Sequence, residues 1–244
     1  MTLALFLLPA LAGAAPGDEL RLDGDEGRHA ARVKRIGVGE TVLVGDGAGL
    51  LATSTVTAVA GEVVSLRVLR VQLSPPPSPQ LVAVQALPKG ERAELSVELM
   101  TELGVDEIVP WAAARSIVQW SGPRGDKALA RWQATAREAA KQSRRPFVPA
   151  VSGLASTRVV ADRLRAATGL VLHEDAPDAF SAAPLPSSGE IVLVIGPEGG
   201  IGPDELETFA GAGARPVRLG PQVLRTSTAG AAALAALSLR LGRW

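Results

Sequence analysis

Residues 190–224 read EIVLVIGPEGGIGPDELETFAGAGARPVRLGPQVL, and this stretch decides the fold. Glu190 to Ile195 is a short apolar run rich in β-branched residues, the pattern of a strand buried on both faces of a parallel sheet. It stops at Gly196. Pro197 fixes φ, and Gly199, Gly200 and Gly202 lack side chains, so bare backbone is presented at the carboxyl end of a strand. Open α/β sheets bind their ligands there. A helix is predicted from Pro203, with Asp204 and Glu205 at the positive end of its dipole and Gly211 and Gly213 closing it. A second strand, Pro216 to Leu219, leads into a second loop, Gly220-Pro221-Gln222. Val223-Leu224-Arg225-Thr226-Ser227-Thr228 then opens an Ala- and Leu-rich helix, so two glycine loops can wall one pocket.

Two phosphate motifs are excluded at this point. Ile201-Gly202-Pro203 supplies no Lys-Ser/Thr pair for a P-loop, and Glu205 stands where a dinucleotide fingerprint needs its third glycine. An acid-rich helix start repels phosphate, which favours a neutral or cationic ligand.

The rest of the chain sets limits. Its 244 residues, 47% hydrophobic and 20% charged, are a globular composition of one large or two modest domains. There is no cysteine, and the two histidines, His29 and His173, are far apart, so no metal cofactor is expected. Net charge is zero, so any nucleic-acid role rests on local patches. Arg28, Arg32, Lys34 and Arg35 form one such patch and Arg137, Lys141, Arg144 and Arg145 another; a solvated surface is the ordinary alternative for both. The apolar N-terminus lacks a positive n-region, is broken by Pro9 and is too short for a membrane span. It reads as the first strand of a folded, cytoplasmic protein.

Residues 1–73 are expected to be mainly β. Glu40–Val44 and Ala52–Val59 are β-branched and roughly alternating, with Asp46-Gly47 at the turn, and Val63–Val71 alternates again. Gly47-Ala48-Gly49-Leu50-Leu51-Ala52 fits a loose G-x-G-x-x-A, but a strand follows where a helix is required, so it reads as a hairpin. Gly27–Arg35 fits a short basic helix. Ser74-Pro75-Pro76-Pro77-Ser78-Pro79 suits a stiff linker at 74–79. From residue 80 to 244 strands alternate with helices: Leu81–Ala86, Glu107–Val109 and Gly169–Leu172 as strands, Ala93–Leu103, Asp126–Gln142 and a segment capped by Ser156 as helices. No G-x-S-x-G elbow points to a hydrolase.

Ile195-Gly196-Pro197-Glu198-Gly199-Gly200 followed by Leu219-Gly220-Pro221-Gln222-Val223-Leu224-Arg225-Thr226 resembles the C-terminal signature of the SPOUT-class methyltransferases, specifically the ribosomal RNA small subunit methyltransferase E family. Leu87–Arg92, Thr101–Val105 and Gln142–Arg145 ahead of Val148-Pro149 resemble further blocks of that family, so the likeness covers most of the chain. Leu99 departs from it where many members carry lysine, and Ser227 where many carry glutamate.

The resemblance implies a PUA-like β-barrel RNA-binding domain over 1–73 and an α/β domain over 80–244 with a deep trefoil knot. It implies S-adenosylmethionine as cofactor, held by Leu172, His173, Ile195, Gly196, Gly200, Leu219, Gly220, Val223 and Leu224. The implied reaction is methylation at N3 of a uridine in 16S rRNA of the small ribosomal subunit, by a homodimer. Arg225 is the candidate for stabilising charge on the uracil carbonyls, or else a salt bridge to the sheet; Glu198 is the candidate proton acceptor, or else shapes its turn. Arg32, Arg35, Lys89, Arg144 and Arg145 are candidate RNA contacts, and His29 is either an RNA contact or an ordinary packed histidine. A knotted methyltransferase for another rRNA or tRNA site, and a non-catalytic RNA-binding protein with a vestigial knot, are the alternatives.

Overall fold

The computed structural model describes residues 3–90 and 92–244. Met1 and Thr2 of the expected first strand, and Glu91 of the Leu87–Arg92 block, lie outside the described residues. Two compact units divide the chain, Met1–Pro76 with Ala140–Val148, and Pro77–Ala139 with Pro149–Trp244.

In the first unit β1 (Leu5–Leu7), β2 (Glu19–Leu22), β3 (Thr41–Gly45), β4 (Leu50–Ala60) and β5 (Val63–Leu73) form a sheet in the order β1-β3-β4-β5-β2. Alternation places Val64, Leu66 and Val68 of β5 inside while Arg67 faces out. Residues from all five strands share one core, so the sheet curls around it, with β1 and β2 as edges of the ladder. The Asp46 carboxylate accepts from the amides of Ala48 (2.7 Å) and Leu50 (3.0 Å), which makes the glycine-rich stretch a hairpin turn. The basic helix starts earlier than its sequence pattern indicates: α1 (Gly24–Arg28) runs into a π-helical turn, His29–Val33, and Arg35 sits at a left-handed φ of 53°.

Residues Ala140–Val148 depart from the expected uninterrupted domain over 80–244. They group with the first unit because the buried Lys141 Nζ pairs with half-buried Glu26 at 3.0 Å, the Gly49 amide donates to the Pro146 carbonyl (3.0 Å), and the Val148 amide donates to that of Gly47 (2.9 Å). Pairing of this kind is non-local and leaves no periodic trace.

The second unit holds β6 (Gln80–Ala86), α2 (Arg92–Glu102), β7 (Glu107–Trp111), most of α3 (Gly122–Gln142), β8 (Ala150–Val151), α4 (Thr157–Leu164), β9 (Thr168–Leu172), β10 (Glu190–Ile195), α5 (Pro203–Gly211), β11 (Arg215–Val217) and α6 (Thr226–Arg240). Its sheet runs β11-β9-β10-β6-β7-β8, every pairing parallel. Ile191 to Ile195 are all buried, each stabilising by about 1.5–3 kcal/mol on removal from water. β11 ends two residues earlier than its pattern indicates, so Leu219 lies in the following loop.

Helices α2, α3 and α6 supply Val97, Met100, Trp132, Leu234 and Leu237 to the core on one face. On the other, α4 and α5 supply Val160, Leu164 and Phe209. The helices after neighbouring strands β6 and β10 therefore leave on opposite sides. That is a topological switch point, and it opens a crevice at the carboxyl edge between these strands.

At the amino edge, Arg163 of α4 reaches Glu107 (2.6 Å) and Glu190 (2.9 Å) at the starts of β7 and β10. Burial alone would push the Glu107 carboxyl up, but hydrogen bonds from Arg163 and Ser152, with the Arg163 charge, hold it below the ordinary carboxylate value. The Arg163 guanidinium is raised in turn, chiefly by its bond to Glu107.

Candidate functional site

Among the described residues a loop leaves the carboxyl end of each of the six parallel strands, and the one after β10 is held at both ends and along its length. Its first residue, Gly196, gives its carbonyl to the Thr226 hydroxyl at 2.8 Å, and Thr226 is the first residue of α6. The Gly200 amide closes a turn on the Pro197 carbonyl (2.9 Å) with Gly200 at φ +72°, a left-handed conformation that suits glycine. Glu198 is exposed, and its Oε1 accepts from the Lys89 backbone amide (3.1 Å) in the loop after β6. Arg115, in the loop after β7, donates to the Gly199 carbonyl (3.2 Å).

The far end of this loop is fixed by Glu205, only 6% exposed. One carboxylate oxygen accepts from the Gly202 amide (3.0 Å) at the N-cap of α5; the other accepts from the Ala114 amide (2.9 Å) and the Thr157 hydroxyl (3.1 Å). The sequence shows Glu205 as one of several acids in a first helical turn. In the structure it ties three segments together.

The loops after β9 and β11 run side by side. The His173 amide donates to the Val217 carbonyl (3.1 Å), the Arg218 amide to that of Asp178 (2.8 Å), and the Phe180 amide to that of Arg218 (2.9 Å). His173 Nδ1 accepts from the Asp175 amide at 3.2 Å, so this ring shapes its own turn. Leu172, His173, Leu219 and Gly220 are half-buried. Val223 and Leu224 are 76% and 39% exposed, two adjacent aliphatic side chains open to solvent just after the second glycine loop. At Gly220 an added Cβ would meet nothing closer than Gln222 Oε1 at 3.7 Å, and at Gly200 nothing closer than Arg115 Nη1 at 3.9 Å.

The structure thus gathers Leu172 and His173, Ile195, Gly196 and Gly200, and Leu219, Gly220, Val223 and Leu224 at the ends of the three adjacent strands β9, β10 and β11. Arg225 is the exposed N-cap residue of α6, and its guanidinium makes no salt bridge or hydrogen bond among the described residues; the tie to the sheet comes from Thr226 instead. Lys89 lies beside Glu198. Arg32, Arg35, Arg144 and Arg145 belong to the first unit, where Arg32 pairs loosely with Glu62 at 3.6 Å. His29 packs edge-on to Phe6 with ring centres 6.1 Å apart. Ser227 is buried in the first turn of α6, and Leu99 is half-buried in α2. Gln85, Arg115, Thr226 and Glu205 were not singled out by sequence. Gln85 did carry a signal, as a polar residue inside the run LVAVQA.

Residues 75–238 match the model of an RNA methyltransferase domain and residues 22–69 that of an RNA methyltransferase PUA domain. The chain is 49% identical over 228 residues to the ribosomal RNA small subunit methyltransferase E of Mycobacterium bovis, covering 91% of this chain and 87% of the relative. The Bacillus subtilis protein of the same name is 32% identical, covering 89% and 88%. The crystal structure of the Neisseria gonorrhoeae enzyme of that name, bound to S-adenosylmethionine, superposes with a TM-score of 0.88 at 29% identity over 98% of each chain.

Proposed function

The chain belongs to the ribosomal RNA small subunit methyltransferase E family, and on that footing we propose that it transfers the methyl group of S-adenosylmethionine to N3 of a uridine in 16S rRNA. The observation that carries the reading is the meeting of three side-chain-poor loops at one edge of the parallel sheet, beside its switch point.

The residues present fit this cofactor. Val223 and Leu224 offer apolar surface for an adenine face, the peptide groups of the three loops offer donors and acceptors to its edge, and the open space at Gly200 and Gly220 admits a ribose and a chain. When bound, S-adenosylmethionine supplies an electrophilic methyl group on a sulfonium. The protein's own part is to hold the uracil in line and manage charge. Arg225, exposed and unpaired, presents a planar fork of donors to the uracil carbonyls, where negative charge grows as N3 loses its proton. Glu198 keeps one carboxylate oxygen free of bonds among the described residues and is the candidate proton acceptor, while its other oxygen shapes the turn.

Lys89 beside the loop, with Arg32, Arg35, Arg144 and Arg145 on the PUA-like unit, would hold RNA phosphates and so position the substrate without reading its sequence. The segments from β10 to α6 are proposed to form the trefoil knot. In support, the chain passes from β10 to β11 on the far side of β9 and returns to bond Gly196 at the start of α6. Exposed Leu239 in the last turn of α6 and Trp244 just beyond it support a homodimer built on this region. No helix among the described residues is long and apolar enough to cross a membrane. A cytoplasmic location is proposed from the ribosomal substrate alone.

The test incubates the protein with small subunits lacking the modification and with labelled cofactor, then locates the label by nucleoside mass spectrometry. A methyl on uridine N3 in 16S rRNA is the expected result. Label on another rRNA position or on tRNA would reassign the substrate, and no label despite cofactor binding would overturn the enzyme reading.

A further inference from the structure

Within the buried run of β6 one side chain is polar. Gln85 is 0% exposed and sits at the carboxyl end of the strand, paired in register with Ile195 of β10. An amide buried among aliphatic neighbours is costly unless its groups are bonded. Nε2 donates to the Ala86 carbonyl (2.9 Å) and to the Thr226 hydroxyl (2.9 Å), whereas Oε1 has no partner among the described residues. Thr226 in turn donates to the Gly196 carbonyl at 2.8 Å.

The direction of this relay is determined by chemistry. Gly196 offers only an acceptor, so the Thr226 proton points to it, and Thr226 is left to accept from Gln85. Turning the amide over would aim Oε1 at the Ala86 carbonyl, acceptor against acceptor. The relay therefore joins the end of β6, the first residue of α6 and the end of β10 across the switch point, at the cost of an unsatisfied carbonyl. An apolar side chain of the same size would avoid that cost, so stability alone does not account for glutamine here.

We infer that Gln85 is a positioning residue for methyl transfer: through Thr226 it fixes the first turn of α6, and with it the place of Arg225 relative to the Gly196 loop. Arg225 immediately precedes Thr226, and its carbonyl accepts the Ala229 amide at 2.9 Å, so its backbone moves with that turn. This inference rests on the role proposed for Arg225.

The test uses the full-length protein, S-adenosylmethionine and small subunits lacking the methyl group. Gln85→Met keeps the volume and removes the donors. Its kcat should fall about 10- to 100-fold, as expected when a catalytic group shifts by up to an ångström. KM for subunits and the calorimetric Kd for S-adenosylmethionine should stay within about threefold, since neither ground-state complex depends on the Arg225 position. Amide hydrogen exchange at residues 226–230 should quicken. Thr226→Val, which also removes the bond to the Gly196 carbonyl, should lose at least as much rate and bind S-adenosylmethionine more weakly. Thr226→Ser should recover most of both because it keeps the hydroxyl, and the double variant Gln85→Met/Thr226→Val should be no worse than Thr226→Val alone, because Gln85 acts only through Thr226.

Thermal midpoints are measured for every variant and rates are taken well below them, so that a purely structural role shows as a lowered midpoint with unchanged kcat. That result, multiplicative losses in the double variant, or a Thr226→Ser as slow as Thr226→Val would each overturn the inference while Arg225→Ala remains about 100-fold slow. Full activity in Arg225→Ala would overturn the reading of Arg225 and the inference with it.

Discussion

Replacing Glu205 by glutamine keeps the side chain's volume and removes one acceptor where three donors converge. The carboxylate receives the Gly202 amide on one oxygen and the Ala114 amide and Thr157 hydroxyl on the other. The less damaging orientation of a glutamine keeps its carbonyl on the pair and turns its NH₂ toward Gly202, donor against donor. One hydrogen bond to a charged group is then lost, worth roughly 1.5–3 kcal/mol. The other two change from a charged to a neutral acceptor and lose up to about half their strength, roughly another 1 kcal/mol together. The expected destabilisation is about 3 kcal/mol, or some 6–12 °C in the midpoint of a domain of this size.

All four tryptophans, Trp111, Trp120, Trp132 and Trp244, belong to the second unit, so intrinsic fluorescence follows that unit alone during thermal or urea unfolding. Because Glu205 fixes the far end of the Gly196–Gly202 loop, the variant should also bind S-adenosylmethionine more weakly. A fluorescence midpoint within about 1 °C of the unaltered protein would refute the hub, since a neutral amide in either orientation leaves at least one of the three donors without its bond, the Gly202 amide being the buried one.

Arg225→Ala should lower kcat about 100-fold, the usual loss for one preorganised donor to a charged transition state, with calorimetric cofactor affinity nearly unchanged; a comparable loss of affinity would refute its assigned role. S-adenosylmethionine at 100 times its Kd should raise the fluorescence midpoint by about 5–11 °C, corresponding to about 2.7 kcal/mol, and no shift would sink the cofactor assignment. Glu107 has a folded pKa below its unfolded one, so its contribution is present above the ordinary carboxylate value and is lost as pH falls through the lowered one. Arg163→Met should therefore be less stable at pH 7 by roughly 1–2 kcal/mol, with the gap to the unaltered protein narrowing on acidification in urea titrations; a gap that stays constant into the acid range would refute the sign.

Much of the α/β unit was legible because its signals are local. Glu190–Ile195 is continuous and apolar, Pro203 with two acids marks the start of α5, and the glycines of the two loops mark stretches of bare backbone. Other features were hidden because burial and non-local pairing leave no mark in a short window. Glu205 resembles its neighbours Asp204 and Glu207, yet it alone is buried. Residues Ala140–Val148 continue the helical pattern of α3 before pairing with Gly47 and Gly49, about a hundred positions upstream. β8 is two residues long, too short for any period to show. The alternatives left open for Arg225 are narrowed by geometry: no acid lies in bonding reach of its guanidinium among the described residues, which removes the salt bridge and leaves the charge available.

The two edges of the parallel sheet are built on different principles, and the difference follows from what a glycine loop can do for itself. Loops made of Gly196, Gly199, Gly200 and Gly220, the proposed nucleoside site, lose much conformational entropy on ordering and bring few side chains to offset it. Their order must come from elsewhere: from Thr226 at the near end of the first loop, Glu205 at the far end, and Arg115 between them. The amino edge needs no open surface and can carry charge, as in the Arg163 cluster and in Arg243, which donates to Asp106 at 3.1 Å and to the Gly104 carbonyl at 3.3 Å. Variants at the amino edge should then shift the fluorescence midpoint with cofactor affinity unchanged, whereas loss of Glu205 should move both together. A variant of Arg163 that weakened cofactor binding as much as a variant of Glu205 would show that the loops are not ordered locally, and the separation of scaffold from site would fail.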